Sequence, residues 1–269
     1  MKTILETYSE YQQLPISEIM DYNRYNELLM IHSSSVMEGS TLTLDETEIL
    51  IQEGIAPKGK PLPHALMITD HYKALQFVIN KSKLINIKVT PDFLKEIGAR
   101  VMYCTGGEYN SVLGNIDSRK GDFRVSASRA AGGSYYVNHS KINAMINELC
   151  DIINQTIDKI SSLYDVLTLS SYAHLQLLTI HPFADGNGRS SRLLQNYIML
   201  RKGFPLVIIR QELKEEYISA IKMSRLKDKP DPFIQFISNE YQHHLKAEIE
   251  KYNDMKKGNS KGITFLLNL

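Results

Sequence analysis

Within one short stretch, His181-Pro182-Phe183-Ala184-Asp185-Gly186-Asn187-Gly188-Arg189-Ser190-Ser191-Arg192, the chain sets an imidazole, a carboxylate, a Gly-Asn-Gly turn and two guanidinium groups. Asp185-Gly186-Asn187-Gly188 suits neither regular helix nor strand and reads as a tight turn. Leu193, Leu194, Tyr197, Ile198 and Leu200 then predict a helix that starts near Gly188. A glycine-rich turn running into a helix N-terminus presents unpaired backbone N–H groups to an anion, and its glycines allow close approach. Arg189 and Arg192 fall in the first turn of that helix, near one face. Two cations there oppose the helix dipole, which favours negative charge at that end. They make sense with an anionic ligand between them, and arginine suits multi-donor binding of phosphate oxygens. Asp185 beside such a site suits Mg2+, which takes one or two carboxylates together with phosphate oxygens. His181 can act as a base near neutral pH. These residues alone predict a Mg2+-nucleotide transferase with a histidine base.

The elements that must carry these groups are nearly all helical. Val166, Leu167, Leu169, Leu175, Leu177, Leu178 and Ile180 predict a buried helix over 166–181 that delivers His181 at its C-terminal end, where Pro182 helps stop it. Periodicity predicts further helices at 17–37, 62–82, 140–160, 188–201, 211–226 and 231–253. Thr43-Leu44-Asp45-Glu46 is a capping box for a short helix ending near Gly54, and Thr90-Pro91 opens another. Residues 105–122, rich in Gly, Asn, Asp and Ser, read as an irregular connection. The stretches 123–128 and 134–137 flank Gly132-Gly133 and form the one convincing hairpin signal. The expected fold is mainly α, a helical bundle with a small β-hairpin flap.

Composition narrows the setting. The chain has 269 residues, 43% of them hydrophobic and 23% charged, which is ordinary globular composition. A formal net charge of +1 argues against a broad nucleic-acid or membrane surface. Cys104 and Cys150 make no metal spacing and no disulfide framework, so both read as free thiols in a reducing compartment. The polar start MKTILETYSEYQQLP lacks the apolar run of a signal peptide, and no stretch has the length of a membrane span, so the expected location is cytoplasmic. His32, His64, His71, His139, His174, His243 and His244 have no metal spacing and read as surface or satisfied core residues. Arg119, Lys120, Asp122, Arg124 and Arg129 read as a solvated rim around the hairpin. The apolar tail ITFLL suits a strand, a docking arm or an oligomer contact, and the sequence does not choose among them.

The stretch from His181 to Arg192 resembles the signature of Fic-domain proteins, H-x-F-x-[D/E]-G-N-G-R-x-x-R, and matches it at every fixed position. The continuation through Leu193, Leu194, Asn196, Leu200, Gly203 and Pro205 is similar to the family's helix pattern, as are Tyr217 to Ala220 and Pro232-Phe233-Ile234. The resemblance covers about 30–240 and implies transfer of AMP from ATP to a Ser, Thr or Tyr hydroxyl of a target protein or of the chain itself. His181 would be the base and Asp185 the Mg2+ ligand. Gly186, Asn187 and Gly188 would form the anion hole, Arg189 would grip the β/γ end, and Arg192 the γ-phosphate. The hairpin at 123–138 would align the target by strand pairing. Ser34-Ser35-Val36-Met37-Glu38-Gly39 also resembles the inhibitory pattern [S/T]-x-x-x-E-[G/N] of class II members. Ser34 and Glu38 share a helix face, and by resemblance Glu38 would pair with Arg192 and remove the γ-phosphate partner.

The implied division is an N-terminal helical region at 1–85 with the inhibitory motif, a Fic domain at 86–240, and a C-terminal helix end and tail at 241–269. Some members transfer UMP or phosphocholine or remove AMP with the same signature, and a non-catalytic nucleotide-sensing regulator is a further alternative. His181 argues against the last, since binding alone needs no base. The residues after 240 are too few for a winged-helix domain, so nucleic acid is not an expected partner. The family tends to dimerise, and the sequence leaves open whether this chain pairs with a second copy.

Overall fold

The computed structural model describes residues 3–15, 22–85, 87–126 and 136–256. In chain order the elements are α1 (Ile4–Gln12), α2 (Tyr22–Met37), α3 (Leu44–Glu53), α4 (Leu62–Ser82), α5 (Pro91–Val101), β1 (Glu108–Ser111), β2 (Gly114–Asp117), α6 (Ile142–Ile157), α7 (Leu163–Ile180), α8 (Asn187–Arg201), α9 (Lys214–Lys227) and α10 (Asp231–Lys256). The described residues form a mainly helical bundle with a small two-stranded antiparallel hairpin, which is the fold class that the sequence predicts. Local chemistry sets several boundaries. Thr43 caps α3 with the reciprocal Glu46 bond of a capping box, and Thr90 accepts the Phe93 N–H with Pro91 at the first helical position. α1 is a helix that the apolar pattern does not announce. Its start is nonetheless written in the sequence, because Thr3 and Glu6 form the same reciprocal cap.

A hairpin forms in a stretch whose composition does not announce one. Within 105–122, read from its composition as irregular, β1 pairs antiparallel with β2 from Glu108 opposite Asp117 to Ser111 opposite Gly114. These strands are polar and mostly exposed, with the apolar pair Val112-Leu113 at the tip. They carry no apolar alternation, and alternation is the signal by which a strand is found in sequence. Of the hairpin expected at 123–138, residues 127–135 lie outside the described residues. Phe123 makes an isolated β-bridge with Phe183.

One apolar cluster runs from Met30 on α2 to Leu245 on α10. α7 and α8 lie in its interior. α8 is unusual for a buried helix, because Asn187, Arg189, Ser190, Ser191, Arg192, Gln195 and Asn196 are all buried. Buried polar groups need partners, and those partners lock α8 to its neighbours. The Asn196 amide takes the Val207 N–H at 2.7 Å and donates to the Val207 carbonyl at 3.1 Å. Gln195 Oε1 lies 2.7 Å from His174 Nδ1, and His174 Nε2 lies 2.9 Å from the Tyr217 hydroxyl.

α5 approaches the motif loop closely. A Cβ at Gly98 would fall 2.6 Å from the Phe183 ring, and Phe183 is a buried core residue beside Phe123. In an exposed helix Gly→Ala gains about 1 kcal/mol. Here overpacking outweighs that gain, and Gly98→Ala is expected to cost roughly 1–3 kcal/mol. Urea denaturation checks this, and a stabilised variant would show that Phe183 has room to retreat.

Candidate active site

α7 ends at Ile180, and His181 follows as its C-cap in the left-handed conformation, with φ 52° and ψ 58°. The reversal points the chain into the turn Pro182–Gly186. That turn is held from within, since the Asn187 side chain accepts the Phe183 N–H at 3.0 Å and donates to the Phe183 carbonyl at 2.9 Å. Asn187 is thus a staple for the turn. Gly186, at φ 78°, precedes the first turn of α8, and no side chain caps that helix end. The first N–H groups of α8 are left for an anion.

An anion is already there. Glu38, just past the end of α2, lays its carboxylate against Gly188, where the space a Cβ would need is taken by Glu38 Oε1. Glu38 Oε1 accepts a hydrogen bond of 2.5 Å from Arg192 Nη2. Arg192 is buried, and it also donates through Nε to Ser34 Oγ at 2.6 Å and through Nη2 to the Ser34 carbonyl at 3.1 Å. The main chain sets this reach: Gly39 N–H bonds the Val36 carbonyl and Ser40 N–H the Ser35 carbonyl, closing α2 as Glu38 leaves it. Burial disfavours the charged carboxylate, but Arg192 outweighs it, and Glu38 sits below the ordinary carboxylate range. For Arg192 burial likewise opposes the charge, and Glu38 more than restores it.

Glu38, Gly188, Arg192 and His181 line one cavity of about 350 Å³ with Met37, Tyr136, Leu178, Tyr217 and Arg225 among its walls. Burial, then the positive charges of Arg124 and Arg225, lower the His181 pKa to about 4, so the imidazole is neutral at pH 7. Its ring stacks on Tyr136, with centroids 3.6 Å apart and planes 5° from parallel. Tyr217, behind Arg192, has its hydroxyl pushed up to about 12 by burial.

The other signature residues face elsewhere. Arg189 is buried and donates to the Val101 carbonyl at 3.2 Å and to Met102 Sδ at 3.3 Å, while its Nε has no partner. Asp185 is exposed, with its Oδ1 accepting the Gly186 N–H at 2.6 Å and its Oδ2 3.9 Å from Arg189 Nη2. An open carboxylate is a suitable hard oxygen donor for Mg2+. Among the described residues no three His, Cys, Asp or Glu side chains gather into a metal site. A Mg2+ at Asp185 would therefore draw its remaining ligands from phosphate and water, as that ion ordinarily does. No helix of the described residues is long and apolar enough to cross a membrane.

Arg124 corrects the sequence reading. Expected on a solvated rim, it is 3% exposed. Its guanidinium donates to the carbonyls of His181 at 2.7 Å, Ser126 at 2.7 Å, Val137 at 2.6 Å and Ile180 at 3.3 Å. Arg225 joins it at the end of α7, donating to the Leu178 carbonyl at 2.7 Å and to Thr179 Oγ1 at 3.1 Å. The spacing carries no signal for either, because each reaches main-chain groups at the end of α7 that lie far away in sequence. Arg119, by contrast, pairs with Asp117 and Glu108, and Arg129 lies outside the described residues.

Comparison with known proteins agrees with this geometry. Residues 88–199 match the family model described as Fic/DOC family. The chain is 28% identical to protein adenylyltransferase fic-1 of Caenorhabditis briggsae over 266 residues, which is 97% of this chain and 48% of that protein. It is 30% identical to protein adenylyltransferase Fic of Aedes aegypti over 214 residues, 78% of this chain and 39% of that one. The chain thus spans less than half the length of these relatives. In fold it is similar to a Fic domain containing signaling protein from Bacteroides thetaiotaomicron, with a TM-score of 0.77 at 23% identity over 96% of this chain and 98% of that one. It is also similar to residues 134–508 of Fic-1 from Caenorhabditis elegans, with a TM-score of 0.75 at 24% identity over 96% of this chain and 72% of that one.

Histidines that are buried or partly buried make stability depend on pH. Burial is the first cause in each case: His174 falls to about 3, and His181 and His244 to about 4. Folded pKa values below the unfolded one mean that the unfolded chain binds more protons in between. Stability is therefore complete above about pH 6.5 and falls as pH drops toward 4. The slope is at most roughly 1.4 kcal/mol per pH unit for each histidine. Guanidinium melts at pH 7 and pH 5 check this, and equal stabilities would show that the rings are not held neutral.

Proposed function

The chain carries a Fic/DOC domain, and on that premise we propose that it is an autoinhibited protein adenylyltransferase, transferring AMP from Mg-ATP to a Ser, Thr or Tyr hydroxyl of a target protein or of itself. One observation carries the reading. A carboxylate from α2, bonded to Arg192, fills the anion seat at the start of α8, in the same cavity as a neutral histidine.

With Glu38 withdrawn, Arg192 is a buried cation in need of an anion, and the γ-phosphate of ATP supplies one. The open N–H groups of α8 face the phosphate chain, with Arg189 and its unpartnered Nε behind them as fixed positive charge. Asp185 would hold Mg2+, which supplies charge neutralisation on the phosphates when bound. The target hydroxyl then approaches His181. Its oxygen forms a bond to the α-phosphorus as the Pα–O–Pβ bond breaks. The proton passes to the neutral imidazole, and pyrophosphate leaves. The protein's contribution is position and charge. While Glu38 keeps the seat, the γ-phosphate has no partner, and ATP binds badly or with its α-phosphorus out of line. The flap segment around 123–138 is where a target would be presented, and the cytoplasm suits the free thiols.

Two outcomes test this. With ATP labelled at the α-phosphate, Glu38→Gly is expected to raise protein labelling at least tenfold, and His181→Ala in that background to remove it by roughly a factor of 10²–10⁴. Equal labelling of wild type and Glu38→Gly would sink the inhibitory role. The second concerns pH. The base works only when neutral, so activity is present above its folded pKa and lost below it. The acid limb of kcat/KM for Glu38→Gly is expected near pH 4, well under the ordinary histidine value. Initial rates from pH 4 to 8 measure it, and a limb at 6.5 would mean another base.

A further inference from the structure

We propose that Arg124 is a positioning residue that ties Ser126 and Val137, the two residues flanking the segment where a target would be presented, to the catalytic histidine, so that what docks there is registered against the base. The inference rests on the transferase reading and extends it to a residue outside the signature.

The geometry is a single fork with two sets of partners. Toward the base, Arg124 Nε donates to the His181 carbonyl at 2.7 Å and Nη2 to the Ile180 carbonyl at 3.3 Å. Toward the flap, Nη1 donates to the Ser126 carbonyl at 2.7 Å and Nη2 to the Val137 carbonyl at 2.6 Å. Ser126 and Val137 stand on either side of the stretch 127–135, so one side chain ties both of its approaches to the residue that bears the imidazole. The main chain repeats the link, with Arg124 N–H donating to the Pro182 carbonyl at 2.8 Å and Phe123 bridging to Phe183. A third tie runs through rings: Tyr136 stacks on His181, and the Arg225 guanidinium lies 5.6 Å from the Tyr136 ring centroid.

Only arginine can do this. Its planar group offers five N–H donors in a rigid fork, while lysine offers three donors from one atom and cannot span carbonyls on opposite sides. The His181 backbone is in a left-handed conformation, so its carbonyl direction is set by contacts from outside the helix. Arg124 makes that contact. Its burial also rules out a screening role at the surface.

The test compares two reactions of one site in the Glu38→Gly background, with ATP labelled at the α-phosphate and the protein's own hydroxyls as acceptor. Transfer to a hydroxyl needs flap and base in register; hydrolysis to free AMP needs only the base and a water. Arg124→Lys is expected to lower the ratio of protein-bound to free AMP at least tenfold, with the KM for ATP within threefold of the parent. An unchanged ratio, or equal loss of both products, would overturn the coupling while leaving the transferase reading intact. A Glu38→Gly parent that makes no protein-bound AMP would end both. Native-state hydrogen exchange of the unmutated protein gives a second reading that needs no variant. The Arg124 and His181 amides should open together, with protection factors within tenfold of each other, and a wider gap would show that flap and base move independently.

Discussion

The contact on which the rest depends is the pairing of Glu38 with Arg192 over Gly188. Arg192 is buried in a helix whose N-terminal dipole already favours negative charge. Removing one partner from a buried ion pair leaves an uncompensated charge, and such losses run to about 3–5 kcal/mol when both groups are fully enclosed. Glu38 keeps a third of its side chain in solvent, so the figure here is smaller. The constraint nonetheless has a direction. An anion at the start of α8 offsets the buried charge of Arg192, and in this structure the Glu38 carboxylate is that anion. On the proposed function, inhibition and substrate binding would be the same interaction made by two different groups.

That constraint explains why a helix as polar as α8 sits in the interior. Five of its buried polar side chains each hold a different neighbour: Asn187 the turn, Arg189 the end of α5, Arg192 the end of α2, Gln195 the His174–Tyr217 pair, and Asn196 the segment at Val207. Polar bonds of this kind fix direction and spacing where an apolar core would be forgiving. The site is accurate because the helix that carries it cannot shift without breaking several of these bonds at once.

What could be read in the sequence follows from what leaves a local trace. The signature around His181 was legible because its chemistry is contiguous, and Glu38 because Ser34 stands one helical turn before it. Most helices followed from apolar period and caps such as Thr43 with Glu46. β1 and β2 were not legible, since Glu108-Tyr109-Asn110-Ser111 has no apolar alternation and its partner begins at a glycine. Arg124 looked like part of a charged rim, because burial of a guanidinium depends on carbonyls more than fifty residues away. Composition sees charge, and only the assembled fold shows whether that charge meets water or main chain. Asn187 and Arg189 show a structural duty that their place in the signature does not announce: the Asn187 side chain staples the turn, and two Arg189 nitrogens reach the end of α5.

The left-handed backbone at His181 has a consequence for how this family could lose activity. Most side chains are strained at such a φ, whereas asparagine, like histidine, adopts it readily and carries no titrating base. The low-strain replacements at this position are therefore few: glycine, asparagine and aspartate. Asparagine at 181 would keep the left-handed stop at the end of α7 at little strain while removing the imidazole, so the path of the backbone and the ring it carries are separable by a single substitution.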